Sequence, residues 1–128
     1  MVRRLVPALL WFAAMMPSVL AQRSGWQLPA GAAGEKNPVA VTGATIAEGR
    51  RLYRQHCRRC HGPQGTGNGS DADPKYRDEM DLTAAARAAR NPDGVVFHKI
   101  WSGREQPRMP AFKDKLTKEQ VWTLVGFV

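Results

Sequence analysis

Five consecutive residues, Cys57-Arg58-Arg59-Cys60-His61, contain both cysteines of the chain and one of its three histidines. Three chemistries compete for this C-x-x-C-H pattern. The thiols could cycle between dithiol and disulfide, but such pairs normally adjoin a strand–helix unit and need no following histidine. They could ligate zinc, yet a closed zinc site takes about four ligands. Only His56 or His98 would remain as a fourth. Finally, they could carry a covalently attached haem, for which this is the signature. Thiols one helical turn apart can each add to a vinyl group on the same porphyrin edge. The next residue then presents an imidazole to the iron.

A second iron ligand is available in Met109, 48 residues after His61 and next to Pro110, which stiffens its loop. Met80 is the rival. It follows His61 by only 19 residues, lies among Asp78, Glu79 and Asp81, and is expected to be exposed. His56 and His98 read as helix-surface histidines. Arg58 and Arg59 read as solvated side chains near the haem edge. Trp101 and Arg104 are candidates for holding haem propionates. The other ring nitrogen of His61 needs a carbonyl acceptor, expected from Pro63 or another residue of the Gly62–Gly69 loop.

These residues must work in an oxidising compartment. Residues 1–21 have Arg3 and Arg4, then an apolar run from Leu5 to Met16, then small residues at Val19 and Ala21. That is the layout of a secretory signal peptide cleaved after Ala21, so export into such a compartment is expected. The apolar run is short for a bilayer span of about 20 residues, so no membrane span is expected after cleavage. The 128-residue chain has a net charge of +8 and a pI near 10.2. Part of that charge leaves with the signal, and haem propionates would neutralise more. The remaining Lys and Arg are dispersed, so nucleic-acid binding is not expected. Two cysteines exclude a framework of several disulfides and a Cys₄ cluster.

The elements that position the motif read as helices. Residues 22–43 hold six Gly or Pro after Ser24 and form a flexible leader on which Trp26 and Leu28 could still dock. A capping box at Thr45-Ile46-Ala47-Glu48 starts a helix that runs into the motif, with Ile46, Gly49 and Tyr53 on one face. Gly62 to Pro74 is a loop. Ala84 to Ala89 suggests a short helix. A further helix, Gly94 to Trp101, is capped by Asn91 or Asp93 and ends at Gly103. An irregular stretch carries Met109. The last helix opens on the capping box Thr117-Lys118-Glu119-Gln120, and its apolar face takes Val121, Leu124, Val125 and Val128, widened by Trp122 and Phe127. Strand-like alternation is absent, so the domain over residues 44–128 should be all-α. Its long loops suit a core partly filled by a cofactor.

The chain resembles a class I monohaem cytochrome c of the bacterial type. The resemblance runs through Glu48–Tyr53, Cys57–Gly62, Gly65-Thr66-Gly67, Val96–Gly103, Met109–Phe112 and Leu116–Trp122. It implies a cytochrome c fold with several helices around one haem c, bound through two thioethers to Cys57 and Cys60, with His61 and Met109 as axial ligands. It also implies that the first and last helices cross at Gly49, with Tyr53 and Phe127 as aromatic partners. With both axial positions filled, electron transfer rather than substrate catalysis is expected. The leading reading is a periplasmic one-electron carrier, and an acidic redox protein is the expected docking partner. The alternative is a haem subunit bound to a periplasmic oxidoreductase such as a quinoprotein dehydrogenase. A ligand-binding haem sensor would require a weak Met109 bond. A haem-free thiol redox protein would lack the cofactor altogether.

Overall fold

A computed structural model describes residues 25–128; the signal-peptide reading of residues 1–21 lies outside them. Six α-helices follow in order: α1 (Gly43–His56), α2 (Arg58–His61), α3 (Arg77–Met80), α4 (Ala85–Ala88), α5 (Asp93–Ser102) and α6 (Lys118–Phe127). Among the described residues there is no strand, only isolated bridges pairing Thr66 with Asp81 and Arg104 with Met109. The all-α expectation holds.

Helix α1 starts earlier than its sequence suggests. Thr42 is the cap: its hydroxyl accepts from the Thr45 N–H at 3.2 Å, and Thr45 Oγ1 accepts from the Thr42 N–H at 2.8 Å. Glu48 does not close a box with Thr45; its carboxylate takes both arms of Arg51 at 2.7 and 2.6 Å. Helix α6 follows the expected pattern, with Thr117 and Gln120 capping each other reciprocally. Losing a cap of this kind costs about 1 kcal/mol. Thr117→Ala is therefore expected to lower the unfolding free energy by that amount, read as a lower urea midpoint with an unchanged m-value.

The core lies where α1, α5 and α6 meet. Leu52, Tyr53, Phe97, Ile100, Val121, Trp122, Leu124 and Val125 form one buried cluster with Phe112 and Leu116 of the second loop. Phe97 stacks on Trp122 with centroids 4.2 Å apart and on Trp101 at 5.8 Å. Val128 does not join this face. It terminates α6 and is 45% exposed.

The tightest contact is the α1–α6 crossing at Gly49. A Cβ there would stand 2.6 Å from Phe127 Cβ and 3.0 Å from the Thr123 carbonyl oxygen. Tyr53, one turn on, meets the Phe127 ring at 5.6 Å. The crossing residue and its aromatic partners agree with the resemblance.

The segment before α1 is irregular apart from one 3₁₀ turn (Ala32–Gly34), as its Gly and Pro content implies, yet it is fastened at several points. Trp26 lies under Lys99 and Arg104, and Ala32 is buried. Glu35 pairs with His98 at 2.8 Å, and Asn37 Nδ2 donates to the Trp122 carbonyl at 2.9 Å. Leu28 stays exposed. Gly94 makes this approach possible, because a Cβ there would overlap the Ala32 carbonyl oxygen and sit 2.6 Å from Glu35 Cβ. Overpacking of this kind costs about 1–3 kcal/mol. Gly94→Ala is expected to lift the segment, speeding amide exchange at Glu35 while α6 amides stay protected.

Candidate functional site

The motif sits on a corner. α1 stops at Cys57, whose N–H still bonds the Tyr53 carbonyl, and Cys57 then caps α2. Its carbonyl accepts from the Cys60 N–H at 3.2 Å and the His61 N–H at 3.0 Å. One tight turn therefore holds Cys57, Cys60 and His61 in fixed register. Helix α2 leaves its carbonyls unpaired within the helix, and the Gly-rich loop covers them. Gly67 N–H donates to the His61 carbonyl at 2.8 Å, Gly69 to Cys60 at 3.2 Å, and Asp71 to Arg59 at 2.7 Å. The loop's small residues allow that close return. Tyr53 Oη donates to the Gly62 carbonyl at 2.6 Å, tying α1 to the residue after the motif.

His61 is mostly buried, and its Nδ1 lies 2.7 Å from the Met80 carbonyl oxygen. A carbonyl only accepts, so Nδ1 carries the proton and Nε2 keeps its lone pair. The acceptor is thus Met80, not a residue of the Gly62–Gly69 loop. Met80 was expected to be exposed; it is half-buried, and its main chain orients the imidazole. Burial holds the His61 pKa down against the opposing effect of the Met80 bond, keeping the ring neutral and able to ligate. Both cysteines are free thiols. Burial, reinforced by Cys60, pushes the Cys57 thiol up to about 12, and burial also raises Cys60. These thiols are protonated at neutral pH, unlike the low-pKa thiolate of a redox-exchange pair.

Met109 lies in the irregular stretch between α5 and α6 and packs against the core, as does Cys57. Its backbone forms a two-way bridge with Arg104, at 2.9 and 3.0 Å. The stretch is pinned to the end of α5 by Phe112 N–H on the Ile100 carbonyl at 3.1 Å and Lys113 N–H on Trp101 at 3.3 Å. Arg104 also reaches Glu79 at 2.6 Å and the Pro107 carbonyl at 2.8 Å, with its side chain only 9% exposed. Glu79 precedes Met80. The segment that orients His61 and the segment that carries Met109 are therefore joined through the Glu79–Arg104 pair.

The other candidates are placed differently. Arg58 and Arg59 are exposed as expected, and Arg59 pairs with Asp71 at 2.7 Å. His56 packs its edge on Phe112, and His98 is engaged by Glu35 and Phe97, so neither is a free surface side chain. α5 is capped by Pro92 without a side-chain bond. Asn91 instead donates to the Arg87 carbonyl and accepts from Lys99, and Asp93 lies in the first turn. Among the described residues, no cluster of three or more His, Cys, Asp or Glu is arranged to hold a metal ion, which leaves the zinc reading without a ligand set.

Comparison with known proteins supplies the class. Residues 44–128 match a family described as cytochrome C oxidase, cbb3-type, subunit III. Among solved structures, the KustC0563 c-type cytochrome is 34% identical with a TM-score of 0.52, covering 62% of this chain and 95% of that one. No curated protein matches the chain. The protein belongs to the cytochrome c family that the matched description names. Such a domain fits an electron-transfer protein rather than an enzyme, and implies covalently bound haem c. The donors present fit that group: two free thiols on one turn, then a neutral imidazole with Nε2 available.

Proposed function

We propose that the protein is a periplasmic one-electron carrier with a single haem c, joined by thioethers to Cys57 and Cys60 and ligated by His61 and Met109. The observation that carries this reading is the His61 imidazole, held through Nδ1 by the Met80 carbonyl immediately after two free thiols. When bound, the haem supplies a reversible ferrous–ferric couple, whose potential His/Met ligation raises. The chain supplies the rest. Met80 fixes the ring plane of His61. The Met109 loop is rigid because its backbone bonds to Arg104 and to the end of α5. The apolar cluster behind Cys57 and Met109 excludes water, which lowers the reorganisation that each electron transfer requires. Arg54, Arg58 and Arg59 are exposed around the motif. They would steer an acidic redox partner at rates that fall with salt.

The second reading is a haem subunit held stably by a periplasmic oxidoreductase. The matched family description, which names an oxidase subunit, favours it. Among the described residues no helix is long and apolar enough to cross a membrane. Expression with residues 1–21 intact should deliver a periplasmic protein lacking them. Its haem should survive acid–acetone extraction, and its oxidised spectrum should show the near-infrared Met–iron band. Extractable or absent haem would sink the carrier reading. Co-elution with an oxidoreductase on gel filtration would replace it by the subunit reading.

A further inference from the structure

Residues 25 and 26 lie against the loop that carries Met109. Gly25 has a φ of +63°, and a Cβ there would stand 2.7 Å from the Gln106 carbonyl oxygen and 3.9 Å from Arg104 Cδ. The half-buried Trp26 turns its ring face to two cations, with Arg104 Cζ 4.4 Å and Lys99 Nζ 5.0 Å from its centroid. Burial holds the Lys99 pKa down, and the charges of Arg104 and Arg87 lower it further, so the two cations on the ring repel one another. The electron-rich ring face offsets that repulsion. Without the ring, the two charged heads would move apart.

Arg104 passes this contact on to Met109. Its N–H donates to the Met109 carbonyl at 2.9 Å, and its own carbonyl accepts from the Met109 N–H at 3.0 Å. Its Nε donates to the Pro107 carbonyl at 2.8 Å, inside the same loop, and its Nη2 reaches Glu79 at 2.6 Å. The backbone of Arg104 thus closes the neck of the 104–109 loop while its side chain braces the middle. No helix lies between Ser102 and Lys118 to hold Met109 in place, so its position depends on these bonds. The segment that brings Trp26 here is itself anchored further along. Ala32 fits against Gly94, Glu35 pairs with His98, and Asn37 bonds the Trp122 carbonyl. Trp26 is the end of a strap fixed to α5 and α6.

We propose that Trp26, acting through Arg104, is a positioning residue that keeps the Met109 loop closed and Met109 on the iron. The proposal rests on the His61/Met109 haem reading above and makes the segment before α1 a control on the Met109 bond. An exogenous ligand reaches the iron only when Met109 leaves it. Its apparent affinity therefore scales with the fraction of molecules whose loop is open. Loss of the ring frees the Arg104 head and raises that fraction. A partly desolvated cation–π contact corresponds to about a tenfold change.

The test is titration of the ferric holoprotein with imidazole, followed by loss of the near-infrared Met–iron band. Trp26→Ala should show the band before imidazole is added, yet bind imidazole about tenfold more tightly than wild type. Trp26→Phe keeps a ring face and should recover most of that difference. In an Arg104→Gln background, Trp26→Ala should add less than about twofold, because both changes break the same contact. A full tenfold there would mean that the ring does not act through Arg104, and overturns the proposal. Amide exchange at Arg104 and Met109, whose N–H groups close the loop neck, should quicken in Trp26→Ala while α6 amides stay protected. That measurement carries the test if Arg104→Gln does not accumulate. Thr117→Ala weakens α6 through its cap and should leave the imidazole affinity unchanged. A gain in Thr117→Ala equal to that in Trp26→Ala would reduce the effect to general stability and overturn the proposal. Equal affinities in wild type and Trp26→Ala overturn it too, and leave the haem reading intact. Wild-type protein without covalent haem, or without the Met–iron band, would instead overturn the haem reading.

Discussion

Gly49→Val should be the most damaging single substitution in the packed core, costing about 3 kcal/mol. The local preference runs the other way. Replacing a helix-interior glycine ordinarily gains a few tenths to about 1 kcal/mol. The crossing decides the sign. The first atom added would lie 2.6 Å from Phe127 Cβ and 3.0 Å from a Thr123 backbone oxygen. Neither is the far end of a flexible side chain. Valine adds two methyls with little rotamer freedom on a helix. α1 and α6 must therefore separate, which loosens Tyr53 against Phe127 and the cluster around Leu52 and Leu124. A cost of 3 kcal/mol is a large share of the 5–15 kcal/mol typical of a domain. Thermal unfolding should shift down by more than about 10 °C. Gly49→Ala should fall between the two. A melting temperature for Gly49→Val equal to wild type would mean that the helices do not cross here.

What could be read from the sequence follows how local each determinant is. The Thr117 capping box involves residues three apart and no other element, and it forms as read. The same pattern misplaced the start of α1, because Thr42 and Thr45 are also three apart and satisfy each other. Glu48 was free to take Arg51 instead. Asn91 looked like a cap until Lys99, one element on, claimed its oxygen. The motif itself was legible because its chemistry depends on spacing within one turn. Its acceptor was not. Met80 reaches His61 only after the loop has folded back over α2 and returned through the Thr66–Asp81 bridge. The docking of the early segment was similarly hidden. Its signal was Gly94, a glycine in the first turn of a helix with no conformational need for one. Only the position of Ala32 explains it.

Met109→Ala should change the iron site most among variants that still fold. The near-infrared Met–iron band should vanish, the reduction potential should fall, and the ferrous protein should bind CO. The cavity cost should be about 2 kcal/mol, at the low end for a buried methionine because the residue is only partly buried. Met80→Ala tests the assignment from the other side, and geometry separates the two. Nδ1 and Nε2 occupy different edges of the imidazole. An iron held at Nε2 therefore lies away from whatever accepts the Nδ1 proton. The Met80 carbonyl is that acceptor, so its backbone stands on the Nδ1 side of His61, away from Nε2. Its side chain would have to pass the ring and the porphyrin to reach the opposite face. Met109 lies on a separate segment, pinned to Arg104 and to the end of α5. Alanine at position 80 keeps the carbonyl, so Met80→Ala should retain both the near-infrared band and a potential close to wild type. If that substitution removed the band while Met109→Ala preserved it, the ligand would be Met80, and the imidazole would have to be held by something other than the Met80 carbonyl.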